Sequence, residues 1–389
     1  METVLYLGIA MVAGLVFNRL AKLAHLPNVT GYLVAGLLIG PCVFKILPSD
    51  AVGSMNIITS VALGFIAFSI GGSFKLDNIR AIGPKVLLIT VMESCGASLA
   101  VFLAMLALRR PMPEALCLAA IAAATAPAAT LLIIKQYKAS GPVVDMLLPV
   151  VAMDDAVCLI LFSVLSSIAA VIENGTGLSV GKMLLSPLRN IGLSLLLGTA
   201  LGAVVALCDR LFKSRANRSS VIVCATFLGV ALADRLGLSS LLVCMMCSAV
   251  MVNFTKDYDR MLEVCDRWTP PLFMLFFVIS GAELDLGVLA EKEVLLTGIT
   301  YVVIRGVGKY FGATAGSAIT RANKNVTKYL GFTLLPQAGV AIGMSGLVGS
   351  ILPAYGAEIR TTILCGPPIY ELVGPVIAKT ALQKAGDIQ

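Results

Sequence analysis

Two adjacent carboxylates, Asp154 and Asp155, interrupt the apolar run Pro149-Val-Val-Ala-Met-Asp-Asp-Ala-Val-Cys-Leu-Ile160. Burying two unpaired anions there is prohibitive, so partners or a cavity must accompany them. Neighbours on a helix point about 100° apart, so one carboxylate can face a cavity while the other faces a packed helix. A second apolar run holds Arg305 and Lys309 at i and i+4, on one helix face. Glu93 and Glu371 complete the acids and bases buried in apolar segments. Four acids against two bases leave roughly two negative charges for protons or a metal cation to neutralise. A carboxylate in a low-dielectric cavity can hold H+ or a small hard cation such as Na+, but not both at once. Thr125, Thr130 and unwound backbone carbonyls are further oxygen ligands. A structural ion-pair network is the plainer alternative for the Asp pair, and Arg305 and Glu371 read as partners that fix helix packing.

Such charges need a membrane-embedded scaffold around them. The 389 residues are 58% apolar and 13% charged, with a mean hydropathy of +0.94. A soluble protein carries about 25% charged residues, so soluble and secreted classes are excluded. The single His25 cannot found a His-rich metal site. Cys244 and Cys247, one turn apart in an apolar run, read as small core residues. No nucleophile–base pair points to an enzyme, and no cofactor is implied. The net charge of +7 reads as loop orientation rather than nucleic-acid binding.

With a window of about 20 residues, thirteen spans emerge at 3–18, 27–44, 52–73, 84–108, 113–134, 142–172, 183–208, 219–234, 237–254, 270–289, 294–318, 327–349 and 361–382. The first reads as a mature helix without a signal-peptide n-region, and only a short tail follows Leu382, so no soluble regulatory domain is expected. Of 29 Lys and Arg residues, 19 follow odd-numbered spans, seven follow even-numbered spans, and Arg189, Arg305 and Lys309 lie inside spans. The positive-inside rule then places the N-terminus outside and the C-terminus in the cytoplasm.

The chain also repeats itself. Phe68-Ser-Ile-Gly-Gly72 followed by Leu76-Asp77 matches Phe277-Val-Ile-Ser-Gly281 followed by Leu284-Asp285, with one residue of slippage. Gly31-Tyr-Leu-Val-Ala-Gly36 and Ser239-Ser-Leu-Leu-Val-Cys244 occupy corresponding places. Within one membrane domain, 1–389, spans 1–6 (1–172) pair with spans 8–13 (219–389), and span 7 (183–208) links them. Partners are seven spans apart, so the second copy is inverted, as in many secondary transporters. Chance likeness of two Gly-containing apolar helices is the alternative. Pro127 in the fifth span, with Pro336 and Gly339 in the twelfth, breaks corresponding helices. Freed backbone groups are tolerated in hydrocarbon only where buried in protein or lining a cavity. Paired breaks of this kind mark a substrate site; an ordinary Pro kink is the lesser reading.

Six motifs in order then resemble the cation–proton antiporter superfamily, specifically bacterial sodium/proton antiporters with thirteen spans and an Asp-Asp pair. They are Leu26-Pro-Asn-Val-Thr-Gly-Tyr-Leu-Val-Ala-Gly-Leu-Leu-Ile-Gly-Pro41, Ala67-Phe-Ser-Ile-Gly-Gly72, Met153-Asp-Asp155, Gly308-Lys309, Leu334-Leu-Pro-Gln-Ala-Gly339 and Ile369-Tyr-Glu-Leu-Val-Gly-Pro375. The resemblance implies an all-α integral membrane fold of about thirteen transmembrane helices, in two inverted six-helix repeats with crossed, discontinuous helices. It implies Asp155 as the carrier of transported Na+ or H+, with Asp154 beside it and salt-bridged to a base of the eleventh span. Both bases are candidates: Lys309, with Gly308 and Gly312, fits the bacterial pattern better and is favoured, while Arg305 and Thr125-Ala-Pro127 resemble animal relatives. The implied activity is electrogenic Na+(Li+)/H+ exchange, two protons per cation, in the inner (plasma) membrane. A homodimer is implied too, with spans 1–3 and 8–10 as dimerisation domain and the broken spans in a core that moves like an elevator. The alternatives are K+/H+ exchange or K+ efflux, a sodium-coupled symporter for an organic anion, and a non-transporting sensor.

Overall fold

The computed structural model describes residues 2–24, 26–72, 74–76, 83–174, 180–212, 214–255, 258–284, 292–337 and 339–388. His25, Asp77 and Asp285, named above, lie outside them. The described residues are nearly all helical and contain no strand. Six continuous helical stretches are long and apolar enough to cross a membrane, and six shorter apolar helices accompany them. Every expected span contains at least one helix.

One compact unit comprises residues 1–20, 31–83 and 188–283. It holds most of α1 (Glu2–Leu23), α2 (Asn28–Ile39) and, resuming after the other unit's first helices, α9 (Val180–Leu211), together with α3 (Ser49–Ser54), α4 (Asn56–Gly71), α10 (Arg215–Leu236), α11 (Ser240–Phe254), α12 (Tyr258–Trp268) and α13 (Pro270–Glu283). Cys244 and Cys247 are buried in α11, as apolar core residues. Backbones here approach closely at glycines: a Cβ on Gly36 would run into the Val278 carbonyl oxygen, and one on Gly281 into that of Leu33.

The second unit comprises residues 21–30, 84–187 and 284–389. It holds α5 (Lys85–Ala107), α6 (Met112–Ala122), α7 (Pro127–Tyr137), α8 (Pro142–Asn174), α14 (Lys292–Ile319), α15 (Lys324–Thr333), α16 (Gly339–Ile351), α17 (Gly356–Leu364) and α18 (Gly366–Ala385). Spans 4–6 and 11–13 are thus grouped apart from most of spans 1–3 and 8–10, with most of span 7 joining the latter set.

The fifth and twelfth spans are interrupted where Pro127 and Pro336 forecast it. Proline lacks the amide hydrogen a helix interior needs. Accordingly Pro127 opens α7 and Pro336 lies in the connection between α15 and α16. Two elements escaped the sequence. α12, with 11 residues and a largely polar sequence, is too short to cross a membrane. α17 begins before the last expected span and covers its first residues, separated from α18 at Cys365 by the Gly366-Pro-Pro368 start.

α8, which carries the Asp pair, is fastened at its first turn. The Asp387 carboxylate accepts hydrogen bonds from the amides of Val143 and Val144, each 2.9 Å, supplying the cap that orphan helix amides require. α5 and α14 meet along glycines. A Cβ on Gly96 would lie 2.9 Å from the Gly308 carbonyl oxygen and 3.0 Å from the Gly312 Cα. Those atoms are backbone and cannot step aside, so G96V should push the helices apart. Overpacking of this kind costs about 1–3 kcal/mol. The expected outcome is a lower melting temperature for purified G96V, read by tryptophan-independent thiol or aggregation assays; a wild-type value would contradict the packing described.

Candidate functional site

The second unit brings most of the buried charges to one place. Lys309 of α14 and Glu93 of α5 form an ion pair with Nζ and Oε2 2.7 Å apart. The same ammonium lies 3.3 Å from Asp154 Oδ2 and donates to Thr125 Oγ1 in the connection between α6 and α7. The approach of α14 to α5 follows from the glycines beside these residues, because a side chain at Gly312 would meet the backbone of Met92 and Glu93. Between the two candidate bases, Lys309 is the one at Asp154.

Ser94 was not legible as part of this group. Its hydroxyl contacts Asp154 Oδ1 at 2.6 Å and Glu93 Oε1 at 3.1 Å, bridging the two acids. A neutral serine in an apolar helix gives no sequence signal, since it commonly bonds its own helix.

Asp155 is different. Glu93, Asp154 and Lys309 are 0% exposed, whereas Asp155 retains 8%. Among the described residues its carboxylate accepts no hydrogen bond and joins no ion pair. Two carboxylates thus hold one ammonium, and the adjacent Asp155, left without a partner, is the acid that keeps some exposure.

Arg305 has a separate task. Its Nε donates to the Ala122 carbonyl at 3.0 Å and Nη1 to the Leu335 carbonyl at 2.7 Å, while Nη2 donates to the Ala124 carbonyl. These are the carbonyls that the two helix interruptions leave without intrahelical partners. A guanidinium suits them because its five N–H groups form a planar fork with a fixed positive charge, placed at the negative ends of two helix dipoles. The guanidinium also lies 4.7 Å from the Tyr370 ring centroid. Glu371 is buried next along α18.

The two interruptions touch directly. Ala126 donates its amide to the Pro336 carbonyl at 2.8 Å. Thr130 reaches across to the Thr333 carbonyl with its hydroxyl at 3.1 Å, so among the predicted ligands Thr125 stands at the acids and Thr130 at the junction. Gln337 Nε2 donates to the Ile121 carbonyl at 3.0 Å and to Tyr301 Oη at 2.9 Å. Gln337 and Tyr301 were also missed, as neutral polar residues whose partners are distant in sequence. Pro127 and Gly339 sit at the first positions of α7 and α16.

Broken helices that meet head to head, with a buried charge cluster beside them, define an ion-transporting membrane protein. The chain matches the family described as sodium/hydrogen exchanger, transmembrane, over residues 7–367, and it belongs to that family. Among solved structures it is similar to the sodium proton antiporter MjNhaP1 from Methanocaldococcus jannaschii at pH 8, with a TM-score of 0.76 and 17% identity, covering 100% of this chain and 99% of that one. No curated protein sequence matches it significantly. The protein is a multi-pass membrane protein, and its class is that of cation/proton antiporters rather than enzymes.

The carbonyl contacts of Arg305 generate a prediction. An unsatisfied buried acceptor costs about 1–3 kcal/mol, and R305L would leave three. R305K keeps the charge without the fork. Both variants should lose thermal stability in detergent, R305L more than R305K; equal stability to wild type would contradict the bracing role.

Proposed function

We propose that the protein exchanges Na+ or Li+ for H+ electrogenically, with Asp155 as the shared carrier of cation and proton. The observation that carries this reading is that Asp155 alone in the cluster is accessible and without a partner. Asp154 is its anionic neighbour and, with Asp155, a ligand of the transported Na+; Thr125 and Thr130, with carbonyls freed at the breaks, are the further oxygen donors. Hard monovalent cations favour such an all-oxygen set.

In the proton-loaded state Lys309 is bound to Asp154 and Glu93, and Asp155 holds a proton. Entry of Na+ displaces the Asp155 proton and draws Asp154 toward the metal. Lys309 then loses one of its two anionic partners, keeps Glu93 as the other, and gives up a second proton. Two protons against one cation move one net charge per cycle. Arg305 remains charged throughout, because it serves the carbonyls and not the carriers, and Glu93 and Glu371 balance charge without leaving.

Alternating access would come from movement of the unit that holds the broken helices, in an inverted-repeat arrangement of 1–172 and 219–389 linked by 183–208. Close helix crossings in the other unit support the repeat: Gly36 of α2 meets α13, and Gly71 of α4 meets α11, as an exchange of copies requires. The reading includes a homodimer in the plasma membrane, with the N-terminus outside and the C-terminus cytoplasmic, working without a cofactor.

Two predictions test it. In acidified proteoliposomes, Na+ or Li+ should dequench a pH dye, and D155N should abolish that response while staying folded; retained activity in D155N would end the assignment. A wild-type response to K+ alone would make the protein a K+/H+ exchanger. K309Q should weaken exchange or make it insensitive to an imposed membrane potential. Wild-type exchange that ignores the potential would contradict the two-proton scheme.

A further inference from the structure

Away from the ion site, the second unit carries two apolar cavities that share residues. One, of about 360 Å³, lies between α15 and α18, with Lys328 and Lys384 among its lining residues. The other, of about 320 Å³, continues along α14 and α18 and shares Phe332 and Ile377 with the first. Among the described residues, no acidic residue lines either cavity. The lysine end is at helix termini: Asn325 Nδ2, in the first turn of α15, donates to the Ala385 carbonyl at the last residue of α18, 2.8 Å away. Lys328 is one turn beyond Asn325 and Lys384 is adjacent to Ala385, and both are exposed. At the far end Val303, Phe311 and Val373 are 54%, 63% and 48% exposed, so the apolar wall is open. In a membrane protein that opening faces hydrocarbon.

The geometry points to a binding site for one anionic phospholipid. Two ammonium groups at a helix boundary attract a phosphate, and basic pockets between transmembrane helices are how anionic headgroups are held. An acyl chain then follows the apolar groove past Phe332 and Ile377. A soluble phosphate would use only the lysines and leave the groove empty, and a zwitterionic lipid would gain little from the charge. The chain would end against Leu335 and Tyr370, both of which line the second cavity. These residues also contact Arg305, through the Leu335 carbonyl and the Tyr370 ring. Lipid in this groove therefore presses on the residues that brace the helix interruptions.

The test uses the delipidated full chain in detergent, titrated with phosphatidylglycerol, phosphatidylcholine or inorganic phosphate. Bound lipid is counted by native mass spectrometry, and melting temperature is followed in parallel. Phosphatidylglycerol should be retained about tenfold or more over phosphatidylcholine, as expected for two lysines at a membrane surface, and should raise the melting temperature. K328Q/K384Q should lose that preference, while K22Q/K85Q, with the same loss of charge elsewhere, should keep it. T380W, which fills the groove between the lysines without removing them, should lose retention of phosphatidylglycerol. Equal retention of the two lipids by wild type, or an unchanged preference in K328Q/K384Q, would overturn the site. So would a melting shift from inorganic phosphate alone equal to that from phosphatidylglycerol.

Discussion

Carbonyl groups stranded inside a membrane are the constraint on which this structure turns. Breaking two helices in hydrocarbon exposes polar groups that water cannot reach. Here the carbonyls of Ala122, Ala124 and Leu335 converge on the guanidinium of Arg305. A single side chain thereby ties the ends of two interrupted helices to α14. Once α14 is held there, the residue one turn further along, Lys309, is committed to the acids of α5 and α8. The site is thus a consequence of how the breaks are satisfied.

Charge balance follows from the same geometry. Lys309 is close enough to stabilise Glu93 and Asp154 together, and Ser94 adds a hydroxyl between them. Removing one member of such a buried group leaves uncompensated charge and is strongly destabilising. Glycines 96, 308 and 312 make the arrangement possible by letting α5 and α14 touch through their backbones. Asp155 falls outside that closed set. Its residual exposure gives the proposed carrier what it needs, a carboxylate with access and an incentive to bind a positive charge.

Much of this was legible in the sequence, for definite reasons. Charges in apolar runs stand out because they are expensive, so Asp154, Asp155, Glu93, Arg305 and Lys309 could be found one by one. Pro127 and Pro336 announced the interruptions because proline has one dominant effect on a helix. The choice between Arg305 and Lys309 was only partly legible, the glycines beside Lys309 favouring it without deciding it. Both lie on one helix face, and only the three-dimensional partners separate a carbonyl brace from an ion-pair base. Ser94, Tyr301 and Gln337 were invisible for a related reason: a neutral polar residue in an apolar segment has many ordinary explanations. The short helices α12 and α17 were missed because one is polar and the other runs into a longer apolar stretch.

The central claim is that cation and proton compete for Asp155. Initial exchange rates in proteoliposomes, measured over a range of Na+ concentrations at several pH values, test it most directly. Competition predicts that the apparent KM for Na+ rises as pH falls, approaching about tenfold per pH unit for each competing proton, while the maximal rate at saturating Na+ is preserved. A constant KM with a maximal rate that alone varies with pH would contradict it, and would place the proton on a site other than the cation's.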